Sequence, residues 1–229
     1  MKFKGFLIEK VKITLQYHDE LNPIIWNGSN LKSDARIRFT NIAFEFAKFA
    51  KIPVDRIKDI IFTGSTCAYN YTKFSDIDIH LIIDEHDMSS DELYDAKMAW
   101  QDKHKRLKYF GYPLEFYAQD VDAKLPKDQG QYSLLQDKWL VVPQHLDHVD
   151  ILKDPWFNKK VCYYIHYIKD LLKRPDATQD IKILKHKFYE MRSAGLAKAG
   201  EFSYENALYK EIRNRNLIKS LNSYKESSQ

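Results

Sequence analysis

One stretch decides how this chain folds: Ile61–Asp84, IFTGSTCAYNYTKFSDIDIHLIID. An apolar strand ends at a Gly64-Ser65 turn, and a second strand opens with Asp76 and Asp78 one residue apart. Side chains at i and i+2 of a strand share a face. The two carboxylates therefore stand side by side, while Ile77, Ile79 and Leu81 point into a core. Carboxylates this close repel each other unless something positive lies between them. A hard cation with oxygen ligands, most naturally Mg²⁺, meets that need.

The flanking sequence supplies the rest of a sheet and its helices. Residues 33–51 carry apolar residues at helical spacing, with Ser33 or Asp34 as N-cap, and Pro53 ends that helix. Ile57–Thr63 reads as a buried strand closed by Gly64, and Asp76–Ile83 as the next strand. A helix is expected over Met88–Phe110, capped by Ser89 or Ser90, with Glu92 in its first turn and Gly111 as its stop. Pro113–Gln119 alternates as a third strand, and Tyr132–Leu135 and Trp139–Val142 read as short paired strands. After Pro155 the pattern turns helical, over 157–173, 178–199 and 204–222, punctuated by Pro175 and by Gly200 with Ser203. Strands followed by a run of helices indicate an α+β protein. The expected organisation is a small mixed sheet with flanking helices over residues 1–150, then a helical module over 151–229 ending in a frayed SYKESSQ tail.

Composition narrows the chemistry. Cys67 and Cys162 have no metal-like spacing, so zinc is not expected at the centre, and their scarcity suits a reducing cytoplasm. No apolar run approaches the ~20 residues of a membrane span. The N-terminus, MKFKGFLIEKVKITL, has Lys and Glu inside its apolar stretch and no small-residue cleavage site, unlike a signal peptide. The net charge of +4 is unevenly spread: residues 151–229 carry +7 and residues 1–150 carry −3. A basic C-terminal third either attracts a polyanion or forms a solvated helical surface. Lys182, Lys185, Arg192 and Lys198 fall roughly along one helical stripe, and Lys210, Arg213 and Lys219 along another.

Gly64-Ser65, a loop, and Ser75-Asp76-Ile77-Asp78 together resemble the signature of the DNA polymerase beta-like nucleotidyltransferase superfamily. The resemblance covers residues 55–120 and puts Glu115, in PLEFYA, where that superfamily carries a third carboxylate on a later strand. Between Leu114 and Phe116 on a buried strand, an unpaired carboxylate would be costly. A looser likeness, TGS with YNYT and SDID, is to compact nucleotidyltransferase-like proteins of phage genomes. The resemblance implies that an acceptor hydroxyl attacks the α-phosphorus of an NTP, with ATP as first candidate, and that pyrophosphate leaves. Asp76 and Asp78 would bridge two Mg²⁺ ions, with Mn²⁺ as a substitute. Glu115 would complete the ion beside the acceptor and help remove its proton. Gly64 would let the backbone approach the triphosphate, and Ser65 and the turn amides would donate to phosphate oxygens, with Ser75 in the same nucleotide-binding segment. Lys73 is either a phosphate counter-charge or a solvated lysine.

Other residues of the segment keep two readings each. Tyr69, Asn70 and Tyr71 either stack on a base or order the loop. His80 shares the acidic face but lies further along the strand, as a core or surface histidine or as a ligand; Trp139 and Trp156 are core residues or base platforms. Superfamily members act on RNA ends, small molecules, proteins or a second nucleotide, and the basic C-terminal third favours RNA or a nucleotide as acceptor. A different class of function is a non-catalytic module of the same fold, antitoxin-like or nucleic-acid-binding, which loss of the acids would favour; Asp76, Asp78 and Glu115 are all present. A second-messenger synthase would be expected to be a longer chain.

Overall fold

Alternating apolar and polar residues build the sheet that carries the acids. The computed structural model describes residues 11–84, 89–123, 125, 129–145 and 150–224. Strands β1 (Trp26–Asn27) and β2 (Asn30–Leu31) form a small hairpin. The main sheet comprises β3 (Ile57–Thr63), β4 (Ile77–Ile83), β5 (Lys108–Tyr109), β6 (Tyr112–Asp120), β7 (Gln131–Ser133) and β8 (Lys138–Val141). Its order is β5-β6-β4-β3-β7-β8, with β4 and β6 parallel and every other pair antiparallel. A parallel neighbour needs a crossover, and α2 (Ser90–Lys103) supplies it between β4 and β6. The protein is thus mixed α+β.

The core lies on the face of the sheet away from the acids. Helix α1 (Ser33–Phe49) buries Ala35, Phe39, Ile42, Ala43, Phe46 and Ala47 along one stripe. Phe39 meets Phe62 of β3 edge-on at 5.6 Å, and Phe46 lies 5.9 Å from Phe116 of β6. Ile77, Ile79, Leu81 and Phe116 are fully buried. Burying each such side chain stabilises the unit by about 1.5–3 kcal/mol.

Several boundaries differ from expectation, each for a local reason. Neither Ser33 nor Asp34 caps α1: Lys32 holds the cap position with no side-chain hydrogen bond, and the Asp34 carboxylate instead accepts from the Tyr109 hydroxyl at 2.8 Å. Ser89 and Glu92 form a reciprocal capping box on α2, while Met88 lies outside the described residues. Helix α2 ends at Lys103 rather than Phe110, because Phe110 and Gly111, both at positive φ, make the tight turn of a β5–β6 hairpin. Gly111 is a hairpin glycine, not a helix stop.

By contacts the chain divides into two units. The sheet unit is Gln16–His145; the other groups the described residues 150–224 with residues 11–15. Residues 11–15 thus go with the helices and not with the sheet. This helical unit contains α3 (Pro155–Leu171), α4 (Thr178–Ala199), α5 (Tyr204–Asn214) and α6 (Leu217–Asn222). Asp154 caps α3 with Pro155 in its first turn, and Ser203 caps α5. The single helix expected over 204–222 is broken in two where Asn216 takes a left-handed conformation, φ 59°. Phe157, Ile168, Phe188, Leu208 and Ile212 form the centre of its core, and Cys162 is buried beside them. Among the described residues, no helix is long and apolar enough to cross a membrane.

Residues 11–15 are held by a buried acid. Glu211 is fully buried, and its Oε1 accepts from the Thr14 and Leu15 amides, both at 2.7 Å, and from the Thr14 hydroxyl at 2.9 Å. Arg215 pairs with its other oxygen and also donates to the Lys12 carbonyl at 2.7 Å. A buried carboxylate is tolerated only with such partners. Glu211→Ala should therefore cost about 3–5 kcal/mol, since it leaves Arg215 without its carboxylate and two amides without their acceptor. Urea denaturation of the whole chain, followed by far-UV circular dichroism, measures it; a loss under about 1 kcal/mol would show that Glu211 is no clamp.

Candidate metal centre

Strand register brings the three acids together. Asp78 on β4 pairs directly with Glu115 on β6, and Asp76 stands two residues before Asp78, just ahead of the strand. Ile77 and Ile79 alternate with the acids and are fully buried on the opposite face. One carboxylate oxygen from each of Asp76, Asp78 and Glu115 lies within 4.8 Å of the others, and all three side chains are half-buried. Three hard oxygen donors at this separation fit a hard divalent cation.

The turn before the loop fits closely around Asp78. Gly64 adopts φ 84° and ψ −171°, a region that side chains rarely enter. A Cβ at this position would sit 2.1 Å from Asp78 Oδ2. Glycine is therefore required twice, by its backbone and by the carboxylate against it. The next residues, Ser65–Cys67, form one 3₁₀ turn.

Hydrogen bonds tie the loop back to this turn. Ser65 Oγ donates to Ser75 Oγ at 2.8 Å, and Ser75 Oγ also accepts from the Thr72 amide at 3.0 Å. Thr66 Oγ1 donates to the Asp76 carbonyl at 2.9 Å, fixing the backbone that carries the first acid. Tyr71 stacks on His18 at 3.9 Å and Tyr69 on His145 at 3.6 Å, so these tyrosines order the loop. Asn70 is buried between them. Ser65 is half-buried, whereas Ser75 is buried and serves as the brace of the loop. Lys73 is exposed, its ammonium 5.1 Å from the Phe74 ring centroid. Trp139 stacks on Trp26 at 4.7 Å inside the sheet unit, but Trp156 is 71% exposed on the first turn of α3 and is no core residue.

Two residues beside the acids were not singled out from sequence. Tyr117 lies two residues beyond Glu115, on the same face, and its hydroxyl donates to Glu115 Oε2 at 2.7 Å. Burial first, then the charges of Asp78 and Glu115, push the Tyr117 hydroxyl far above the ordinary tyrosine range. Lys97 of α2 holds its ammonium 3.6 Å from the Tyr117 ring centroid. Burial draws Lys97 below the usual lysine value, against the pull of Glu115, Asp78 and Asp76 in the other direction. Tyr117 was legible from the period of two; nothing in the α2 sequence marks Lys97. His80 stacks on Tyr117 at 4.5 Å, and its Nδ1 is 2.7 Å from Gln119 Oε1. Burial holds its pKa below the ordinary histidine value. Cys67 is enclosed behind the turn, and burial, reinforced by the charge of Asp78, raises its thiol well above the usual range.

The two basic stripes of the helical unit fare differently. Lys182, Lys185, Lys198 and Lys219 are exposed. Lys210 pairs with Glu201, and Arg192 donates to Asn206 at 3.2 Å while lying 4.8 Å over the Tyr209 ring. Arg213 is half-buried. Lys210 and Arg192 therefore serve internal contacts of the unit.

Gly64→Ala is expected to destabilise the sheet unit by about 1–3 kcal/mol through strained backbone and to displace the Asp78 carboxylate. Thermal unfolding and Mn²⁺ binding followed by electron paramagnetic resonance test this, and unchanged Mn²⁺ affinity would refute the close fit. No protein-family model and no curated protein matches the chain. Among solved structures it is similar to a STING-associated CdnE c-di-GMP synthase from Capnocytophaga granulosa, at 11% identity over 89% of this chain and 90% of that chain. The TM-score is 0.22, too low to carry an argument about fold or function.

Proposed function

We propose that the sheet unit is a divalent-metal-dependent nucleotidyltransferase that moves NMP from an NTP, with ATP as first candidate, to an acceptor hydroxyl. The observation that carries this reading is the close set of Asp76, Asp78 and Glu115 beside a glycine turn that admits no Cβ. The resemblance of Gly64-Ser65 and Ser75-Asp76-Ile77-Asp78 to nucleotidyltransferase signatures points the same way.

Asp76, Asp78 and Glu115 would hold two Mg²⁺ ions, which when bound supply charge stabilisation for the attacking and leaving oxygens. The remaining work falls to the chain itself. Gly64 lets backbone amides approach the triphosphate, and Ser65 can turn its hydroxyl to a phosphate oxygen. Ser75 acts on the nucleotide by bracing the loop, and Lys73 lends its exposed charge to the phosphates. Tyr117 takes up Oε2 of Glu115, which leaves Oε1 to accept the acceptor's proton or a metal. The acceptor oxygen then forms its bond to the α-phosphorus as the bond to the β-phosphate oxygen breaks, and pyrophosphate departs. The +7 charge of residues 151–229 supports RNA or a second nucleotide as acceptor.

The test is incubation of the purified chain with α-labelled NTPs, Mg²⁺ or Mn²⁺, and RNA, nucleotide, protein and metabolite acceptors. Labelled product and pyrophosphate are expected. Asp76→Asn/Asp78→Asn should lower the rate at least about 100-fold, the scale of losing a preorganised electrostatic contact to the transition state. Absence of any product from the wild-type chain favours a non-catalytic binding module of the same fold. Removing repulsion also has a stability consequence. Asp76→Asn alone should raise the metal-free melting temperature and abolish the further rise that Mn²⁺ gives the wild type. A lower melting temperature would mean that the acids do not strain the metal-free site.

A further inference from the structure

Helix α2 contributes a cation to the acidic face, although most of its neighbouring charges are acids. Its capping box fixes the first turn, and Leu93 and Trp100, on either side of Lys97, are buried. Trp100 is locked edge-on against Phe46 at 5.6 Å and Phe116 at 6.2 Å. The base of the Lys97 side chain is therefore on a rigid element, while its four-carbon stem can still move the ammonium. That ammonium rests on the Tyr117 ring, and Tyr117 is hydrogen-bonded to Glu115. Glu115, Asp78 and Asp76 all act on it electrostatically. Lys73, by contrast, is exposed on the loop.

We infer that Lys97 is a nucleotide-binding residue of this site, with two successive partners. Without metal its positive charge offsets the three carboxylates. Divalent ions on the same carboxylates repel the ammonium, and the triphosphate of the incoming nucleotide is the polyanion that then receives it. The inference rests on the metal-dependent nucleotide reading above. It assigns Lys97 opposite effects on the two ligands: it competes with the metal and assists the nucleotide. A lysine that merely props up the fold would weaken both ligands together when removed.

Lys97→Met and Lys97→Arg, with the wild type, test this on the whole chain. Circular dichroism checks folding, and Lys97→Gln replaces the Met variant if that one fails to fold. Mn²⁺ binding without nucleotide is measured by electron paramagnetic resonance. Binding of the α,β-methylene analogue of ATP, at saturating Mn²⁺, is measured by calorimetry. Lys97→Met should bind Mn²⁺ at least about 3-fold more tightly, since a like charge has gone. It should bind the analogue about 10-fold or more weakly, the scale of one charge-assisted hydrogen bond. Lys97→Arg should keep both affinities close to wild type. Changes of the same sign for the two ligands, or no change in either, overturn the inference while leaving the metal site standing. A wild-type chain that binds no Mn²⁺ overturns the metal reading and this inference with it.

Discussion

Mutual repulsion of three carboxylates is the constraint around which the sheet unit is arranged. Left to themselves, Asp76, Asp78 and Glu115 would move apart. They are prevented from doing so by the other faces of their own strands. Ile77, Ile79 and Phe116 are fully buried, and a slip of one residue in either strand would bring an acid into that core. The register that pairs Asp78 with Glu115 is thus held by hydrophobic burial beneath it. Helix α1, through Phe39 and Phe46, supports the acidic face without touching it. The glycine turn and the Ser65–Ser75 and Thr66–Asp76 hydrogen bonds then fix the one acid that stands outside a strand.

What the sequence made legible follows the same logic. The period of two in SDIDIH, and again in PLEFYA, is a local pattern, so the shared face of the acids was readable before their spatial proximity was known. Gly64 was readable as a turn. Its second role, excluding a Cβ from Asp78 Oδ2, depends on a cross-strand approach that no local pattern encodes. Gly111 misled because the same residue stops helices and turns hairpins, and the positive φ of Phe110 decides between them. Lys97 was invisible for a similar reason. One lysine in an acid-rich amphipathic helix looks solvated, and only the crossover from β4 to β6 carries it over Tyr117.

The helical unit shows the converse case. Its helices were plain from the sequence pattern, yet its least expected part is residues 11–15, held by the side chains of Glu211 and Arg215. Nothing in the local sequence of α5 marks Glu211 as buried. Its burial follows from residues nearly two hundred positions away, Thr14 and Leu15, and such separations leave no trace in local composition. Trp156 shows the reverse, a large aromatic left in solvent by its place on the first turn of α3.

The cysteines place one enclosed thiol in each unit: Cys67 behind the glycine turn and Cys162 among the α3 contacts. Neither is accessible to an alkylating agent until its surroundings open. Their separate modification rates therefore report how often each unit opens in the native chain. The protein carries its own pair of stability probes, one behind the acids and one in the helices, with no label to be engineered.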